Sequence, residues 1–304
     1  MAAPRPVVPA ARPADRAVGL ALILVSAAAF GAMPILGKVA YRSGAEPVSL
    51  LAIRFAVAAA CLLAVRAVAV GRGGAGPWPG GRTLLTLVAL GGGVYVLQSL
   101  AYFRALELAP AALVAIVLYL FPGLVVLLTV VFLRERPTAA VVGCLLLSVL
   151  GVGLTVGPVS GSVDPLGPAL AAVSAVCYSV YIVVSSRVVP RAGPLTSICV
   201  VVGAATVTYG VLALLTGPSW PGDAGGWAAS VAVGVVGTVV AMLAFFAGLS
   251  RLGPTDSSIA STLEPVVTAA LGVVVLSEAV TAVQAAGAVL VLAAVILLAR
   301  LRAA

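Results

Sequence analysis

About ten long apolar stretches, parted by short loops, run through this chain and leave it few ways to fold. A hydrocarbon core about 30 Å thick is crossed by roughly 20 helical residues. The pattern therefore predicts an all-α membrane protein with ten transmembrane helices. Composition agrees, since 62% of the 304 residues are hydrophobic and 9% are charged, against about 25% charged in soluble domains. A membrane β-barrel would show short alternating segments with aromatic girdles. Here the runs are long and aliphatic, and aromatics make up 6%.

The chain has no histidine. That removes Ser-His-Asp and Cys-His catalysis, most catalytic zinc chemistry and haem ligation by histidine, so the chain is not read as an enzyme. Cys61, Cys144, Cys177 and Cys199 stand singly inside apolar runs, as small core residues do. No metal and no cofactor is expected. The net charge of +8 does not point to nucleic acid, because the arginines cluster at the ends of apolar runs and not in a basic stripe.

Residues 1–16, rich in Pro, Ala and Arg, read as a disordered cytoplasmic tail. The run from Val18 to Tyr41 is too long for a signal peptide and is followed by more of its kind. The expected spans lie near 18–41, 47–70, 83–104, 111–133, 138–157, 166–187, 194–216, 227–250, 254–277 and 281–299. An even number puts both termini on one face. With the N-terminus inside, thirteen of the seventeen basic residues fall in inner segments, among them Arg16, Arg66, Arg134, Arg187 and Arg251. Asp164 and Asp223 fall outside. The positive-inside rule then places both termini in the cytoplasm, in a multi-pass protein of the plasma (inner) membrane.

An internal repeat organises the chain. A shift of 143 residues lays Val130–Ala139 on Val273–Ala282 and Pro122 on Pro265; a shift of 148 lays Ser26, Phe30 and Met33 on Ser174, Tyr178 and Tyr181. Each half holds five spans, so the second half enters the membrane inverted. Inverted repeats of this kind are the plan of secondary transporters, with substrate held near the midplane where the halves meet.

Three motifs carry a family resemblance: Leu133-Arg134-Glu135-Arg136-Pro137-Thr138, Leu276-Ser277-Glu278-Ala279-Val280-Thr281, and Leu263-Glu264-Pro265. The first two resemble the L-G-E-R-x-T between spans of the EamA-like family of the drug/metabolite transporter superfamily, and the third resembles its L-E-P. The glycine of L-G-E is here Arg134 or Ser277. The resemblance covers 17–157 as a first five-helix repeat and 166–300 as a second. It implies a metabolite carrier, often an exporter of amino acids or related compounds.

Glu264 falls near the middle of its span, where an ionised side chain costs about 2.5–3.5 kcal/mol. It either exchanges a proton or holds a substrate amine, or it braces the helix beside Pro265, whose ring removes one backbone bond. Arg54, about seven residues and roughly 10 Å below an outer end, either attracts a substrate carboxylate or snorkels to cap carbonyls or pair with Glu46. Tyr95, Gln98 and Tyr102 share one helix face, and Ser174, Tyr178, Tyr181 and Ser185 share another. Tyr119 sits three residues before Pro122, and Phe245 corresponds to Tyr102. Together these faces are expected to line one substrate cavity, the aromatic faces suiting an apolar or cationic group. Glu135 and Glu278 are candidates for helix-start acceptors or gating charges, and Pro122 and Pro265 for gating breaks.

The expected function is export of a small amphipathic metabolite by alternating access, with proton coupling through Glu264. The alternative is an uncoupled, channel-like facilitator. The expected partners are the small-molecule substrate and the lipid bilayer, with a homodimer admitted and nucleic acid excluded.

Overall fold

The computed structural model describes residues 13–74, 76–109, 111–135, 137–156, 164–276 and 281–303. Among these residues nine helices are long and apolar enough to cross a bilayer. In chain order come α1 (Ala14–Arg42), α2 (Pro47–Gly71), α3 (Gly81–Leu108), α4 (Leu113–Leu133), α5 (Ala139–Val156), α6 (Leu166–Ala192), α7 (Pro194–Thr216) and α8 (Ala224–Leu252). Next stands α9 (254–276), and last α10 (Ala282–Leu301).

Of the ten expected spans, the one near 254–277 is not among these nine. It consists of Pro254–Ala260, a tighter turn at Ser261–Leu263, and Glu264–Leu276, placed end to end. Pro265 has no amide proton to return to the Ser261 carbonyl, so the regular ladder lapses there. A second difference lies at the start. Helix begins at Pro13, so residues 13–16, expected in the tail, form its first turn, and Arg16 pairs with Asp256 at 3.1 Å. Residues 1–12 of the expected tail lie outside the described residues.

Local chemistry sets the turnarounds. Gly193 and Gly253, at φ of 78° and 79°, end α6 and α8 in a conformation that a side chain disfavours. Pro194 and Pro254 then open α7 and α9 with φ already helical and no amide to waste. At the start of α8 the Gly226 amide donates to Asp223 Oδ1 at 2.7 Å, an N-cap.

The two repeats run in opposite directions. Arg66, near the end of α2, donates to Thr196 at the start of α7 at 2.6 Å, so α2 ends on the face where α7 begins and α6 finishes. Hence α6 starts on the face opposite the start of α1. On that opposite face the Gly222 amide donates to Ser43 O at 2.8 Å and the Asp164 amide to Leu108 O at 3.4 Å.

Helix packing repeats the duplication. Gly19 lets α1 lie against Arg251 and Leu252 at the end of α8, and Gly167 lets α6 lie against Ala109 at the end of α3; 19 and 167 differ by the 148-residue shift. Gly91 of α3 lies against the Val201 backbone of α7, and Gly234 of α8 against Arg54 and Val57 of α2; 91 and 234 differ by 143. Close approach through bare backbone is how membrane helices gain packing without a hydrophobic drive.

Both α3 and α8 widen into a π turn, at Leu90–Tyr95 and Val235–Val240. A π turn leaves backbone carbonyls without regular partners, and such turns gather at functional sites. Here the other repeat supplies donors: Thr208 Oγ1 donates to Gly92 O at 3.1 Å and Arg54 Nη2 to Gly237 O at 3.3 Å.

Candidate functional site

A cavity opens between the repeats, lined from α1, α2, α3, α4, α6 and α9. Its walls include Phe30, Met33, Arg54, Tyr95, Gln98, Ser99, Tyr102, Phe103, Tyr119, Phe121, Tyr178 and Glu264. It is small, about 50 Å³, room for roughly three to five water centres at 10–15 Å³ each.

Glu264 reaches the cavity because α9 restarts there. The turn at Ser261–Leu263 ends with Glu264 as the first residue of the next helical piece, and α1 gives way opposite it. Helix α1 breaks at Ala32, ahead of Pro34; Gly31 lies against the Glu264 carbonyl, and Thr268 Oγ1 donates to Gly31 O at 2.8 Å. The Glu264 side chain is partly exposed to the cavity. Tyr102, Tyr119 and Tyr178 stand around it in the same wall.

Arg54 does not snorkel. It is 1% exposed, with Nε donating to Thr238 Oγ1 at 2.8 Å and Nη2 to the Tyr95 hydroxyl at 3.0 Å. Its guanidinium carbon lies 5.0 Å from the centre of the Phe55 ring, a cation–π distance. Glu46 is not among its hydrogen-bond partners: that residue stays at the start of α2, where its backbone amide donates to Ser49 Oγ at 3.0 Å.

The two faces expected from α3 and α6 meet. Gln98 Nε2 donates to Ser174 Oγ at 3.0 Å, and the Tyr95 and Tyr181 rings stack at 5.0 Å. Of the expected site residues, Arg54, Tyr95, Gln98, Tyr102, Tyr119, Tyr178 and Glu264 line the cavity. Tyr181 and Phe245 stand behind this wall, Phe245 with its ring 6.5 Å from that of Tyr178, and both are buried. Ser185 is buried on α6 with no hydrogen-bond partner among the described residues.

Pro122 and Pro265 each follow a break, α4 lapsing at Tyr119–Leu120. Glu135 is exposed in the loop after α4, away from the cavity; Glu278 lies outside the described residues. Thr138 and Thr281 do cap, accepting from the Val141 and Gln284 amides at 3.4 and 3.3 Å.

Ser99, Phe103 and Phe121 also line the cavity and were not anticipated. Ser99 and Phe103 complete the i, i+3, i+4, i+7, i+8 stripe of α3, so the full helical stripe was the signal that could have found them. Arg66, grouped with the inner loop charges, is buried over the Trp78 ring at 3.9 Å.

The model of the EamA-like transporter family matches residues 17–157 and 165–300. No curated protein matches the chain. A solved crystal structure, described only as that of a protein, is similar with a TM-score of 0.76 at 26% identity, covering 95% of this chain and 98% of its own.

Proposed function

Because the chain belongs to the EamA-like transporter family, we propose that it is a secondary transporter exporting a small amphipathic metabolite, an amino acid or a relative, by alternating access. The observation that carries this reading is a carboxyl, Glu264, open to a cavity between the repeats and flanked there by Tyr102, Tyr119 and Tyr178. Intramembrane carboxyls in such positions serve ion or substrate pathways. Glu264 is the coupling group: it takes a proton from one side and releases it to the other, and when unprotonated it holds a substrate amine among the rings of Tyr95, Tyr102, Tyr119 and Tyr178. Gln98 and Arg54 contribute the polar side of the same wall, and Tyr181 and Phe245 back it.

The breaks at Pro122 and Pro265 are the proposed places where α4 and α9 bend as the halves rock. In this reading α9 also crosses the bilayer, giving ten spans. Both termini are cytoplasmic, with the inner membrane as the location.

The test is flux of a labelled amino-acid and small-amine panel in proteoliposomes, with and without a pH gradient, for the native chain and Glu264→Gln. Gradient-driven accumulation that the substitution abolishes is expected. Flux that ignores the gradient and survives the substitution would replace the coupled carrier with an uncoupled facilitator. No flux for any panel compound would overturn this substrate class.

A further inference from the structure

We propose that Arg54 is a positioning residue that couples the two repeats, making the shape of each π turn depend on the other. The inference rests on reading the cavity as the transport path. It concerns how that cavity is held together, and not what it binds.

Its basis is where the bonds of Arg54 go. Tyr95 closes the π turn of α3, and Thr238 lies inside the π turn of α8. The two positions are 143 residues apart, the shift that relates the repeats. One guanidinium therefore holds the same place in both halves at once, through Nη2 on Tyr95 and Nε on Thr238. A third bond, to Gly237 O, takes up a carbonyl of the α8 turn itself.

These donors sit on one rigid plane, so moving one acceptor drags or breaks the bond to the other. The acceptors are neutral, and the charge is stabilised by their dipoles and by the Phe55 ring. Nothing in α7 duplicates the arrangement, since Val201 and Val202 are fully buried where a second arginine would stand. A single residue thus serves a two-fold site.

Tyr95 is the route from this tie to the cavity. Its ring lines the wall and is fixed between Phe55, edge-on at 5.6 Å, and Tyr181, stacked at 5.0 Å. Thr238 spends its own hydroxyl proton on Val233 O at 3.4 Å and so presents a lone pair to Arg54. A change in pitch of the α8 turn alters what Arg54 can reach, and Arg54 then shifts the Tyr95 phenol. In a rocking motion of one repeat against the other, the tie makes both turns change together.

Hydrogen exchange of the purified protein in lipid nanodiscs tests this without any substrate. Thr238→Val keeps the shape and loses the hydroxyl. It should raise amide exchange not only at 235–240 but also across the interface at 90–95, by about ten-fold or more, as the loss of a hydrogen bond to a charged group would give. Thr238→Ser keeps the hydroxyl and should leave 90–95 at the native rate. Tyr95→Phe reads the same coupling from the other side, at 235–240, so the proposal stands or falls even if one variant does not fold. In an Arg54→Lys background, with a point donor in place of a fork, the crosswise response should vanish. A Thr238→Val effect confined to 235–240, or equal in the Arg54→Lys background, would overturn the coupling. Because no transported compound enters the measurement, its failure leaves the flux experiment untouched, and a silent flux panel leaves the coupling untouched.

Discussion

Helix α4 lapses at Tyr119–Leu120 and resumes with Phe121 and Pro122; α9 lapses at Ser261–Leu263 and resumes with Glu264 and Pro265. The breaks correspond under the 143-residue shift, and so do Phe121 and Glu264, both of which line the cavity. Helices α2 and α7 differ in the same way. Each packs against a glycine of the other half, yet one brings Arg54 and the other only valine. The duplication preserved what bends and packs the backbone, namely proline and glycine. Within the cavity it did not preserve charge, the cation Arg54 coming from the first half and the acid Glu264 from the second. A near-symmetric frame thus encloses an asymmetric surface.

If the frame resides in the duplicated small residues, damage to them should exceed damage anywhere else. Gly91→Ala would drive a methyl into the Val201 backbone and should cost roughly 3 kcal/mol, read as a fall in melting temperature and in folded yield in detergent. Its counterpart Gly234→Ala meets the Arg54 carbonyl at 2.9 Å and should be damaging but milder. Gly93→Ala, with open space around it, should be close to neutral. Equal losses at Gly91 and Gly93 would break the assignment of the frame to close packing.

A smaller and opposite effect is expected at Arg134. It is the one non-glycine residue at positive φ among the described residues, at 54°, and it stands where the family motif has glycine. Arg134→Gly should therefore stabilise by about 1 kcal/mol, relief of left-handed strain, seen as a raised melting temperature.

The smallest pair compares the helix starts that follow α4 and α9. Thr281 caps α10 and its own amide donates to Gln284 Oε1 at 3.0 Å, a reciprocal box. Thr138 has Val141 at that position and makes the single cap. Thr281→Ala should cost about 1 kcal/mol and Thr138→Ala about half that. Equal melting shifts would show the box adds nothing.

Much of this was legible in the sequence because a bilayer imposes a length on apolar runs and proline marks where helices lapse. The α3 and α6 faces could be read because 3.6-residue periodicity survives burial. Arg54 was legible as a deep charge but not as a tie, since its partners lie 41, 183 and 184 residues away and no local pattern reaches that far. The π turns were hidden too. Gly91-Gly92-Gly93 advertised close contact, but not that α3 would widen there. The pairing of Arg16 with Asp256 likewise depends on α1 and α9 meeting at one face.

The cavity of about 50 Å³ bears on how tightly this protein can hold anything. A bulky amphipathic substrate exceeds the room of roughly three to five waters, so its occupancy requires a roomier form. The measured dissociation constant is then the intrinsic one divided by the fraction of molecules in that form. At a one per cent population, a micromolar pocket would register as roughly hundred-micromolar. Weak apparent binding would accordingly report the scarcity of the open form, and substitutions that enlarge the cavity should tighten retention without adding a single contact.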